Sequence, residues 1–135
     1  MKTGLMTLAL VLFGSQAHAT GGFWCDFKKH GYELTINGVT SRSFANAIVS
    51  AEAQLKGPAA VSFDRSHILQ YWNEGDEFRA ILYKEEEGDS YKWTRVELRT
   101  TSPDQCTFSG KLKIEHFDGT KVHSLKDADV ECSLE

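Results

Sequence analysis

The residues of this 135-residue chain that could carry chemistry are its histidines, its three cysteines and its tyrosines and tryptophans. Beyond residue 19 the histidines are His30, His67, His116 and His123. A histidine serves as a general base when a carboxylate orients it and a nucleophile lies within reach. Glu115 and His123 could form such a pair across a hairpin, but the alternation of that hairpin puts both on its outer face. No Gly-x-Ser-x-Gly elbow and no His-Glu-x-x-His pair completes the machinery. Cys25 lies between Phe23 and Phe27 on one strand face, where a thiol is buried and inert, whereas a nucleophile needs a base and some exposure. The acidic runs Glu74-Gly75-Asp76-Glu77 and Glu85-Glu86-Glu87-Gly88-Asp89 sit about 20 Å or more apart at strand rise. Neither has the alternating oxygen ligands of a calcium loop. These residues predict no catalytic site, no metal and no cofactor. A small hydrolase using His116 or His123 is the rival to that reading.

The aromatic residues point elsewhere. In a meander of residues 67–73, 77–84 and 91–100, Ile68, Trp72, Phe78, Ala80, Leu82, Val96 and Leu98 share one face. His67, Leu69, Tyr71, Ile81, Tyr83, Tyr91 and Trp93 share the other, with Arg79 and Arg95 at its edge. Antiparallel sheets usually keep one face wet, yet both faces here are apolar. Tyr, Trp and Arg dominate binding hot spots, so Tyr71, Tyr83, Tyr91, Trp93, Arg79 and Arg95 are the candidate binding residues. If another strand pair or loop covers that face, it is a second small core instead.

Positioning these residues requires strands. Residues 22–28 alternate, Tyr32–Ile36 follow, and Asn37-Gly38 is the strongest short hairpin signal. Val61 and Phe63 suggest a further strand. Residues 106–117 and 121–134 form the last hairpin around Asp118-Gly119-Thr120. With a three-residue loop, Phe117 pairs with Lys121, Phe108 with Val130 and Cys106 with Cys132. Facing positions come within about 4.5–5.5 Å, the range a disulfide accepts, so a Cys106–Cys132 bridge is expected. Were residues 126–129 a turn, Cys132 would leave Cys106, and Cys25 would be its partner.

One segment changes period. Phe44, Ala47, Ile48, Ala51 and Leu55 fall at helical spacing, with Ser41 or Ser43 as cap and Gly57-Pro58 as stop. This predicts an α-helix over 43–56. The expected fold is therefore α+β: an antiparallel sheet of about six to eight strands with one helix packed on one face.

Lys2, the apolar run Leu5–Phe13 and the small residues Ala17 and Ala19 read as an export signal over residues 1–19. The run is far short of the roughly 20 residues a spanning helix needs, and Thr20 stands where a lipid anchor needs Cys. Cleavage leaves 20–135 as one domain and, with Lys2 gone, takes the charge from −4 to −5. Acidic charge disfavours nucleic acid and anionic membranes. The expectation is an exported protein, periplasmic or secreted, whose disulfide suits that compartment. Its most economical function is a non-catalytic binding module for a protein, a glycan or a second copy of itself. A structural envelope component is the further alternative.

Overall fold

The computed structural model describes residues 20–41, 47–74, 76–88, 91–104 and 107–134. These form nine antiparallel strands and a single 3₁₀ turn. The strands are β1 Thr20–Lys29, β2 Tyr32–Ser41, β3 Ala47–Lys56, β4 Val61–Asp64, β5 Ile68–Glu74, β6 Glu77–Glu86, β7 Lys92–Thr101, β8 Thr107–Phe117 and β9 Val122–Leu134. The expected export signal, residues 1–19, lies outside the described residues.

The sheet order is β4-β3-β2-β1-β9-β8-β7-β6-β5. Because neighbours alternate in direction throughout, β4 and β5 at its two ends run the same way. Only Arg65–His67 separates them in the chain, so one continuous stretch pairs first with β3 and then with β6. That shared stretch rolls the sheet into a nearly closed barrel with eight staves, one of them split. Asp64 caps the split: its Oδ1 accepts from the Ser66 amide at 2.8 Å, and its own N–H donates to His67 Nδ1 at 2.9 Å. Lys84 Nζ donates to the Ser62 carbonyl at 2.7 Å, bridging β6 to β4 across the seam.

An eight-stave barrel is just wide enough for side chains to fill it. Phe23, Leu34, Ile36, Leu55, Phe63, Phe78, Leu98, Phe108 and Ile114 do so, each almost wholly buried. The space enclosed by Phe23, Ile48, Phe63, Ile68 and Tyr71 is about 10 Å³, no more than one water occupies. Large rings need small neighbours, and Gly38 supplies one: a Cβ there would stand 2.1 Å from the Phe23 ring. Outward positions carry exposed Asp26, Lys28, Glu52, Lys56, Arg79, Arg99, Lys111 and Glu131, the opposite of the apolar outer band of a lipid-facing barrel.

The expected α+β fold is thus corrected to an all-β barrel. No helix covers the described residues of 43–56. Residues 42–46 lie outside the described residues, and 47–56 are β3. Ala51, Ala53 and Leu55 are buried while Glu52, Gln54 and Lys56 are exposed, a two-residue period built from helix-favouring residue types. Pairing with β2 along its length overrides those local preferences. Asn37-Gly38 is not a turn either. The first hairpin turns at His30 and Gly31, both with positive φ of 56° and 79°, the two-residue turn that matches strand twist.

Two bulges correct the expected faces. In β5 the register slips between Ile68 and Gln70, so Tyr71 faces inward and Trp72, expected in the core, is 48% exposed. In β9 Asp127 takes φ 52° beside a slip between Leu112 and Ile114. Phe117 pairs with Val122 rather than Lys121, and past the bulge Phe108, not Cys106, stands opposite Cys132. Cys132 is instead bonded to Cys25, its direct partner across β1 and β9, with Cα atoms 4.2 Å apart. The expected Cys106–Cys132 bridge is therefore overturned; Cys106 itself lies outside the described residues.

Candidate binding surface and the polar mouth

The end of the barrel carrying the turns after β1, β3, β6 and β8 gathers the residues with the most chemistry, some outside and some inside. Outside, Tyr83 on β6 and Trp93 on β7 are diagonal cross-strand neighbours, since Tyr83 faces Arg95 and Glu85 faces Trp93. Their rings stack with centroids 6.1 Å apart and planes at 30°. Tyr91, 56% exposed, lies just before β7. Both phenols donate to the same oxygen of Glu85, Oε1, each at 2.9 Å, and the two hydroxyls are 3.2 Å apart. The bond with Tyr91, with burial and Glu85 adding to it, holds the Tyr83 phenol well above its usual pKa. Half-buried Phe117 faces Trp93 from β8.

The structure brings together three of the six candidate residues: Tyr83, Tyr91 and Trp93. Arg95 borders them, its Nη1 3.0 Å from Glu97 Oε2. Arg99 holds the other oxygen of Glu97 at 2.8 Å. Although burial raises the Glu97 pKa, the two guanidinium groups outweigh it and leave the carboxyl below its ordinary value. Arg79 stands further up β6 on Glu77, at 3.0 Å. Tyr71 is not part of the surface. Its ring packs inside, 6.1 Å from Phe23 and 5.8 Å from Phe78. Sequence reasoning missed Glu85, whose place in an acidic run reads as solvated turn charge. The signal was its two-residue step from Tyr83, which puts both on one strand face.

Inside the same end, the barrel's lowest layer is polar. Thr94, His116 and Tyr32 are all buried. His116 faces His123 across β8 and β9, the rings stacked with centroids 4.8 Å apart at 15°. The expected outer Glu115–His123 pair does not form. Glu115 faces Ser124 and binds Lys113 at 2.6 Å. The four-residue loop 118–121 shifts the register by one near the turn, and that turns His123 inward. His116 Nε2 lies 3.1 Å from the Tyr32 hydroxyl, and His123 Nε2 2.7 Å from Asp118 Oδ2. Burial, then His123, lowers the His116 pKa, so this imidazole is held neutral. The bond to His123 and the amides of Lys121 and Thr120 hold the Asp118 carboxyl far below the usual range. A cavity of about 180 Å³ adjoins, lined by Pro58, Glu86, Lys92, Thr94, His116 and Asp118.

Covalent catalysis would need a protein nucleophile beside these imidazoles. Among the described residues the hydrogen-bond partners of His116 and His123 are Tyr32 and Asp118, not Ser, Thr or Cys. Among the described residues no three of His, Cys, Asp and Glu gather to hold a metal ion. Compared with protein-family models, with curated proteins and with solved structures, the chain matches none.

Proposed function

We propose that this barrel is a non-catalytic binding module working through the outer surface around Tyr83, Tyr91 and Trp93. The observation that carries the reading is the gathering of three aromatic rings and a shared carboxylate outside the barrel, on β6, on β7 and on the residue just before β7. A filled interior supports it as well, because it leaves ligands the outside. Tyr and Trp offer large contact area at small entropic cost, which is why they recur in binding sites. The Cys25–Cys132 disulfide accords with an oxidising compartment, and export to it through residues 1–19 is part of the proposal.

The test is a Tyr83→Ala/Trp93→Ala double variant compared with wild type for oligomeric mass and for retention on peptide and glycan arrays. Loss of retention or of a dimer, with the melting temperature kept, supports the reading. Unchanged behaviour in all three refutes it. The stacked His116 and His123 beside a cavity favour a second reading, the small hydrolase. A His116→Gln variant that abolishes turnover of ester or glycoside substrates would establish it.

A further inference from the structure

We infer that the partner presents a cation to this surface: the ammonium or guanidinium group of a basic segment of another protein. The inference rests on the binding reading above and adds the chemical class of the ligand.

Charge complementarity carries it. The other paired carboxylates along the outer face of the sheet are neutralised locally, Glu77 by Arg79, Glu97 by Arg95 and Arg99, Glu115 by Lys113 and Asp129 by Lys111. Glu85, Glu86 and Glu87 follow one another at the lower end of β6, all exposed. Among the described residues none of the three forms an ion pair with a lysine or arginine. Of the neighbouring cations, Arg95 is committed to Glu97 and Lys84 to the Ser62 carbonyl at the seam, while Lys92 faces Glu86 across β6 and β7 at the mouth cavity. Negative charge left standing beside aromatic rings is what a cation seeks.

The rings themselves add to the attraction. A cation over the face of Trp or Tyr within about 6 Å of the centroid is drawn by the ring quadrupole. Both phenols here donate to a carboxylate, which shifts electron density toward the rings and strengthens that face. Both bonds end on Oε1, so Glu85 Oε2 keeps lone pairs for an incoming N–H. A neutral glycan would use the stacked rings but gain nothing from Glu85 and Glu87, and an anionic partner would be repelled by them.

The experiment uses the folded chain carrying its disulfide, with pentalysine as probe. A pentalysine peptide acetylated on every ε-amino group serves as its neutral counterpart. The readout is the indole N–H resonance of Trp93, with Trp24 and Trp72 as reporters elsewhere on the barrel. Pentalysine is expected to shift Trp93 selectively, less so at higher salt, and the acetylated peptide to leave it in place. Tyr91→Ala should weaken binding about two- to five-fold, the worth of one exposed cation–ring contact. Glu85→Gln should weaken it by a similar factor, while Glu52→Gln, on the outer face of β3, should not. Equal binding of the acetylated peptide overturns the inference, and so does an equal loss from Glu52→Gln, which would mark diffuse attraction to an acidic protein. If maltotriose or chitotriose shifts Trp93 and pentalysine does not, the cationic ligand falls and the binding surface stands. If none of these probes shifts Trp93 and the Tyr83→Ala/Trp93→Ala variant is silent, both fall.

Discussion

Replacing Cys25 and Cys132 together by alanine removes the covalent tie across the junction between β1 and β9. That junction is thinly paired. β1 and β9 share four facing positions, Phe23–Asp26 with Leu134–Glu131, against ten between β1 and β2. The bridge spans a sequence separation of 107 residues. In the chain-entropy model a loop of that length restricts the unfolded chain by about 5 kcal/mol. A domain of this size has about 5–15 kcal/mol in all, so the loss takes a large share of it. With a urea slope of about 1.5 kcal/mol/M, the midpoint should fall by about 3 M. The assay is a urea melt of wild type with and without reductant, of the double variant, and of Cys106→Ala. Reduced wild type should coincide with the double variant, and Cys106→Ala should coincide with oxidised wild type. If Cys106→Ala instead falls to the reduced curve, Cys106 belongs to the bridge and the Cys25–Cys132 pairing is wrong. A midpoint unmoved by reduction would show that the four paired positions hold the junction unaided.

Other consequences are open to the same kind of measurement. Gly38→Ala drives a methyl against the Phe23 ring, itself 3% exposed and flanked by Tyr71 and Phe78. It should cost about 1–3 kcal/mol in a chemical melt, partly restored by Phe23→Leu. Asp127 holds φ 52° in the β9 bulge, so Asp127→Val should cost about 1–2 kcal/mol while Asp127→Gly stays near neutral. Buried His116 has a lowered pKa, which means the unfolded chain takes up its proton first. Its contribution to stability is full above the ordinary histidine pKa of about 6.5 and drains away as pH falls through the lower folded value. His116→Gln should flatten that part of the curve of urea midpoint against pH from 7.5 down to 5, and an unflattened curve assigns the dependence elsewhere.

Strand content was legible because burial alternates with period two. Phe108, Leu112 and Ile114 in β8, and Phe78, Ala80 and Leu82 in β6, take the inner face that their spacing implies. What misled was composition and punctuation. Ala-Glu-Ala-Gln-Leu-Lys over 51–56 has helix-favouring residue types in a strand pattern, and Asn37-Gly38 resembles a turn although its glycine exists to admit a ring. Bulges at Ile68/Gln70 and Asp127 were invisible, because one extra residue leaves no compositional mark while reversing every side chain beyond it. The cysteine pairing failed for a subtler reason. A register shift of two residues leaves both faces of a hairpin unchanged, so the alternation that placed Cys132 inside could not distinguish Cys106 from Phe108 as its neighbour. Its true partner lies on β1, brought there by closure of the whole sheet, which no local pattern encodes. At the candidate surface the same logic applies: Tyr83 and Trp93 were placed together by strand parity, Tyr71 was lost to a bulge, and Glu85 was hidden among turn charges.

Beginning at β5 and passing through β9 to β1 and on to β4, the spatial order of the strands is the chain order itself, rotated. Topologically the molecule is a ring of hairpins cut between β9 and β1, with the disulfide spanning the cut. A circular permutant that joined residue 134 to residue 20 and opened the chain at Arg65–His67 would make every paired strand a sequence neighbour. Such a chain would trade the long covalent loop for one more short turn and pass the duty of closure to its new ends. The split stave would become an ordinary pair of termini, and the barrel a ribbon free to uncurl.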